Sequence, residues 1–166
     1  MSRRGTESAT IRWATPEDAT ALGGLRWEHC FELGGYPRSG GEALGRDEFD
    51  AAFANYLHEA LRSGRWAVWL AEADGEVLGT LSVQRVPSVP TPWQTDRGWG
   101  YVTSVQVVPK ARGRGVGRQL MDAALAWAKD EGLEMLHLWP SPDSVAFYRA
   151  VGFSPAASAM EAWLGD

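Results

Sequence analysis

At 166 residues, with 45% hydrophobic and 22% charged side chains, the chain has the size and composition of one globular domain, which excludes disorder as its main state. Its 16 Lys+Arg against 21 Asp+Glu leave a formal net charge of -5, the wrong sign for a duplex-DNA binder, and Cys30 as the sole cysteine excludes a disulfide scaffold. No apolar run reaches about 18 residues and residues 1–10 lack an apolar signal core, so the sequence predicts neither a spanning helix nor Sec export, and a cytoplasmic protein.

Residues 1–8 are polar and predict a disordered N-terminus ahead of one domain over 9–166. A short strand over 9–14 leads into Thr15-Pro16-Glu17-Asp18, a helix start with Thr15 as N-cap, proline at the first helical position and acids in the first turn. Leu22, Leu25, His29 and Leu33 recur at helical spacing and predict a helix over 16–33. The five glycines and Pro37 of 34–45 predict a loop. A second helix follows over 47–62, with Phe49, Phe53, Tyr56, Leu57 and Leu61 on one side.

Residues 66–73 and 77–86 read as strands joined across Asp74-Gly75, a dipeptide suited to a tight hairpin turn. The stretch 86–98, with three prolines and Trp93, reads as a surface loop. Residues 101–108 are rich in Val and Thr and form a strand that stops at Pro109. The strongest helix pattern covers 115–129, where Val116, Leu120, Ala123, Ala124 and Trp127 make an apolar stripe. A buried strand over 133–139, a short helix over 141–151 closed by Gly152, and a last strand over 158–164 complete the chain. This β-α-α-β-β-β-α-β-α-β order implies a mixed α/β or α+β sheet with helices packed on it.

The chemistry lies between the 101–108 strand and the helix after it, where Lys110, Arg112, Arg114 and Arg118 fall within nine residues and alternate with Gly113, Gly115 and Gly117. Glycines without Cβ atoms let backbone N–H groups approach a ligand, and the turn opens directly into a helix N-terminus whose free amides and positive dipole end favour an anion. Several consecutive amides suit a diphosphate. A Walker A loop is disfavoured because neither Gly115 nor Gly117 is followed by Lys, and the dinucleotide fingerprint because the spacing is not G-x-G-x-x-G. A flexible basic connection, or the phosphate site of another nucleotide, stands as the alternative.

Val105-x-Val107-x-Pro109-x-x-Arg112-Gly113-x-Gly115-Val116-Gly117-x-x-Leu120 resembles the coenzyme A signature of the GNAT acetyltransferase superfamily, and Phe147-Tyr148-x-x-x-Gly152-Phe153 resembles its second motif, one helix and one strand further on. The resemblance implies an α/β (α+β) fold with a mixed, mostly antiparallel central sheet of about six or seven strands flanked by about four helices. It implies acetyl-CoA as co-substrate, no metal, an amine acceptor, no nucleic-acid or membrane partner, and admits a homodimer. Val105, Gln106 and Val107 would hold the pantetheine arm through main-chain groups, with side chains largely in the core. Arg112, Gly113, Arg114, Gly115, Val116, Gly117 and Arg118 would wrap the pyrophosphate. Tyr148 would lie by the thioester sulfur and protonate the departing thiolate.

Two departures from the family pattern matter. Where the family often has Asn before that tyrosine, this chain has Ser141-Pro142-Asp143-Ser144; Ser141 or Ser144 would substitute at the pantetheine, or simply cap the helix. Where some members place Glu early in the fourth strand, residues 99–104 contain no carboxylate, so the resemblance identifies no general base. His29 and His58 are the titratable candidates in the acceptor region, and His137 reads as structural. Glu28, Glu32, Glu42, Asp47 and Glu48 flank the glycine-rich loop and would attract a cationic amine, or are solvated helix charges. Cys30 has no signature of an acyl-enzyme nucleophile, which argues for direct attack in a ternary complex.

Of nine tryptophans, Trp66, Trp69, Trp127, Trp139 and Trp163 are expected in packing, and Trp27 and Trp93 near the acceptor entrance. The reading is an acyl-CoA-dependent N-acyltransferase acting on a primary amine. A non-catalytic acyl-CoA-binding or sensing module is the alternative.

Overall fold

Asp74 and Gly75 make the turn the sequence predicts. Both adopt positive φ, 52° and 77°, the twist that a two-residue hairpin requires. In the computed structural model, which describes residues 9–32 and 43–162, this turn joins β2 (Trp66–Ala73) to β3 (Glu76–Pro87). β1 (Thr10–Trp13) pairs antiparallel with β2, β3 antiparallel with β4 (Gly98–Val107), and β5 (Leu136–His137) parallel with β4. The sheet order is therefore β1-β2-β3-β4-β5, mixed and mostly antiparallel, as expected.

Ala67 to Ala71 are buried without a break, because helices cover both faces of β2. Alternate residues point to opposite sides. Val68 and Leu70 meet Leu22 of α1 (Ala19–Glu32) and Leu57 of α2 (Arg46–Arg62), whereas Ala67, Trp69 and Ala71 meet Leu120, Met121 and Ala124 of α3 (Val116–Asp130). Period 2 along the strand thus serves two cores, and the α3 stripe read from the sequence fills the larger one.

The helix start at Thr15 forms as a single 3₁₀ turn, Pro16–Asp18, ahead of α1. Asp18 accepts the Thr15 backbone N–H at 2.8 Å and both Nη atoms of Arg12 at 2.8 and 2.9 Å, while Arg12 Nε donates to Glu72 at 3.0 Å. The guanidinium beside it holds the Asp18 carboxyl below its usual range, and this fork ties β1 and β2 to the entry of α1.

Several expectations are corrected. The buried strand expected over 133–139 contracts to Leu136–His137, since its pairing with β4 runs only through Gly100↔Leu136 and Tyr101↔His137 before the two strands diverge. A Cβ at Gly100 would overlap Leu136 and Val83, so glycine permits even that short pairing. The expected last strand does not form over its described part, 158–162, where residues are exposed; five strands stand among the described residues rather than six or seven. Trp139 is 58% exposed rather than packed in the core, because it lies beyond the end of β5, edge-on to Tyr101 and His137. Trp69 is fully packed, between Trp13 and Trp127. The predicted N-terminal tail, the loop over 34–42, Leu33, Glu42, the Glu32 side chain and Trp163 lie outside the described residues.

Candidate functional site

The divergence of β4 from β5 makes the site. After Tyr101↔His137 the strands part, and β4 carries a bulge: Ser82 opposes Thr103 and Thr80 opposes Gln106, so β4 holds an extra residue, with Ser104 at φ 53°. The β5-facing edge of the remaining β4 residues therefore borders a cleft of about 890 Å³. Val105, Gln106 and Val107 line it on one side, and the α3 entrance and α4 (Val145–Ala150) line the others.

The basic glycine segment forms the end wall. After a 3₁₀ turn at Pro109–Ala111, Gly113 and Gly115 take φ of 73° and 84°, conformations in which a Cβ is strained. The first intrahelical bond of α3 runs from Gln119 N–H to Gly115 O at 3.0 Å, which leaves the amides of Val116, Gly117 and Arg118 without helical acceptors at the cleft. A Cβ on Gly117 would stand 3.4 Å from the Phe147 ring, so glycine there lets α3 and α4 close on each other. No acidic residue occupies the first turn of α3. Basic charge at a positive dipole end is unfavourable for the helix alone and favourable for a bound anion.

The four cations of this segment divide. Arg112 lines the cleft and donates Nε to Val107 O at 2.9 Å; Arg118 lines it and donates Nη2 to Ala150 O at 2.6 Å, joining α3 to α4. Lys110 pairs with Glu76 on the hairpin, outside the lining, and Arg114 is exposed and also outside it.

Tyr148 enters the cleft from α4, half-buried between Phe147 and Phe153 with ring centroids at 5.1 and 5.8 Å. Burial raises its pKa above the ordinary 10.0, so the hydroxyl keeps its proton at neutral pH. Ser141 and Ser144 also line the cleft and are tied to each other, Ser144 Oγ donating to Ser141 O at 2.9 Å and Ser141 Oγ to Ser144 Oγ at 3.0 Å; neither side chain accepts a helix-start N–H as a cap would. Of the three histidines, His29 lines the cleft, His58 is exposed on α2, and His137 stacks edge-on with Trp99 and Trp139. Trp27 packs on Phe31, Phe49 and the Arg46 guanidinium, and Trp93 is 91% exposed on its loop.

Gln106 departs from the core role expected for side chains in its strand. It is 5% exposed, and both its amide oxygen and nitrogen lack a hydrogen-bond partner among the described residues. It borders the cleft and a hollow under α1 and α2 lined by Arg26, Tyr56, Thr80, Ser82 and Ser104. That polar group was missed in sequence because its members lie on four separate elements. The available signal was a lone amide between Val105 and Val107, which alternation directs away from their face. No group of three or more His, Cys, Asp and Glu suited to a metal occurs among the described residues, and no helix there is long and apolar enough to cross a membrane.

Known proteins share this architecture. The model of the acetyltransferase (GNAT) family matches residues 26–153. Mycothiol acetyltransferase of Tsukamurella paurometabola is 34% identical over 89% of the chain and 49% of its own length, so the chain spans about half of that relative. Aminoglycoside N(6')-acetyltransferase type 1 of Stenotrophomonas maltophilia is 33% identical over 87% of the chain and 85% of its own length. A predicted acetyltransferase from Clostridium acetobutylicum, crystallised with acetyl-CoA, superposes with a TM-score of 0.76 at 21% identity, over 95% of this chain and 97% of that one.

Proposed function

Since the chain belongs to the acetyltransferase (GNAT) family, we propose that it transfers an acetyl group from acetyl-CoA to a primary amine by direct attack on the thioester. The observation that carries this reading is the cleft itself, whose lining brings together the α3 entrance with Arg118, the β4 residues Val105 to Val107 and Tyr148 of α4.

The amides of Val116, Gly117 and Arg118 receive the coenzyme's pyrophosphate, with Arg112 and Arg118 supplying charge. The pantetheine arm lies along the β5-facing edge of β4 at Val105 to Val107, where it takes the place of the diverged strand against β4 main-chain groups. The neutral acceptor nitrogen attacks the thioester carbonyl, the C–N bond forms and the C–S bond breaks; Tyr148 delivers its proton to the departing sulfur, and the proton lost from nitrogen passes through water to restore the phenol, so amine and thioester give amide and thiol. The phenol of Tyr148 is neutral at physiological pH and so holds the proton that the departing sulfur takes up. One domain over 9–166, in the cytoplasm, is the proposed unit. The names of the relatives support an amine acceptor, an aminoglycoside among the classes to be tried.

Coenzyme A, ATP and NAD compared by thermal shift, followed by an amine screen read by mass spectrometry, tests the proposal. We expect coenzyme A to stabilise most and an acetylated amine to form. Greater stabilisation by ATP or NAD supports a nucleotide binder, and coenzyme A binding without transfer supports the non-catalytic module.

A further inference from the structure

The hollow behind Gln106 has a volume of about 20 Å³, room for about one water-sized group. Its polar lining comes from Thr80 and Ser82 of β3, Ser104 and Gln106 of β4, Arg26 of α1 and Tyr56 of α2; no carboxylate lines it among the described residues. Thr80 Oγ1 is committed as a donor to Trp69 O at 2.8 Å. The Gln106 amide has no such commitment: it offers two N–H donors and a carbonyl acceptor, buried and unpartnered, where the hollow meets the cleft. A buried amide left unpaired is costly, and such groups in a native fold point to a missing ligand or water.

We propose that Gln106 is a specificity-determining residue for the acceptor, its side-chain amide pairing with one neutral hydroxyl carried beside the acceptor's amine. This rests on the transfer reading above. The side chain turns toward α1 and α2, away from the face on which Val107 packs near Gly117 of α3, so it is placed for the acceptor rather than for the coenzyme's pyrophosphate. A neutral partner fits because the lining lacks a carboxylate to receive a second ammonium, whereas an amide both donates to and accepts from a hydroxyl. A site built to hydrogen-bond a hydroxyl rejects the analogue without it, since the buried amide is then stranded.

The test measures kcat/KM at saturating acetyl-CoA for amines matched except for the hydroxyl: ethanolamine against propylamine, and 2-aminocyclohexanol against cyclohexylamine. The protein is compared with Gln106→Leu and, in case the branched side chain misfolds, Gln106→Met. We expect the unsubstituted protein to favour the hydroxylated amine of each pair by more than about tenfold, and the variants to narrow that ratio to below about threefold while melting at a higher temperature. A ratio near one in the unsubstituted protein, or one that survives in both variants, overturns the proposal. An equal loss of rate on both members of a pair also overturns it, since Gln106 then holds a water and not the acceptor. If coenzyme A binds but none of the four amines is acetylated by the unsubstituted protein or in the wider screen, the transfer reading itself fails and this inference falls with it.

Discussion

The two faces of β4 solve different recognition problems. On one, Val107 packs by Gly117 of α3, and the segment leading to Arg118 presents backbone amides from one continuous stretch of chain. On the other, Gln106 faces a hollow whose polar lining is gathered from α1, α2, β3 and the bulge at Ser104. The first face needs glycines at positive φ and a helix N-terminus, features that any acyl-coenzyme A donor would use unchanged. The second relies on side chains, which can be exchanged without disturbing the backbone. On the proposed reading, main chain would hold the constant donor and exchangeable side chains the variable acceptor.

The largest effect is expected at Tyr148, the proposed acid, which lines the cleft on the coenzyme side. Tyr148→Phe keeps the ring packing against Phe147 and Phe153 and removes only the acid, so kcat in the acetyl-transfer assay is expected to fall about 100-fold, with a smaller change in the KM for acetyl-CoA. Near-full turnover would remove Tyr148 from the mechanism. Because burial raises its pKa, the acid form persists up to the ordinary value of 10.0, and this group produces a loss of kcat only at more alkaline pH.

Gly115→Val tests the donor side alone. At φ 84° a β-branched residue is strained, costing about 1–3 kcal/mol of stability, and the displaced amides are expected to lower coenzyme A affinity at least about tenfold by calorimetry. Unchanged affinity would show that the loop amides do not hold the coenzyme.

The smallest effect on function belongs to Asp18, which sits in the structural fork with Arg12 and Glu72, outside the cleft lining. Asp18→Asn is expected to cost about 1–3 kcal/mol in chemical denaturation while the folded protein still binds coenzyme A. The Asp18 carboxyl is held below its ordinary 3.8, so its contribution is present above that pH and fades as pH falls through the lowered value. The Asn variant is expected to lose that acid dependence.

Legibility in the sequence followed the same division. The Asp74-Gly75 hairpin, the α3 stripe and the Gly113 to Gly117 turn were readable because each is encoded by neighbours in the chain. Strand β5 was overextended because apolar residues continue through Leu138 and Trp139, whereas its length is set by how far β4 runs alongside. Ser141 and Ser144 suit either a cap or a cleft contact by residue type, and in the structure they bond to each other while lining the cleft, with no side-chain cap bond at either. Alternation sets the amide of Gln106 apart from Val105 and Val107, but that it is buried and unpaired depends on α1 and α2 folding over a strand far from them in sequence.

The most direct test of the central claim is a single-turnover reaction of the protein with acetyl-CoA and the amine panel, following free thiol and acetylated amine together. Thiol release is expected to accompany acetyl-amine formation in equal amounts and to require the amine. Tight coenzyme A binding with no acetylated product from any amine would contradict it.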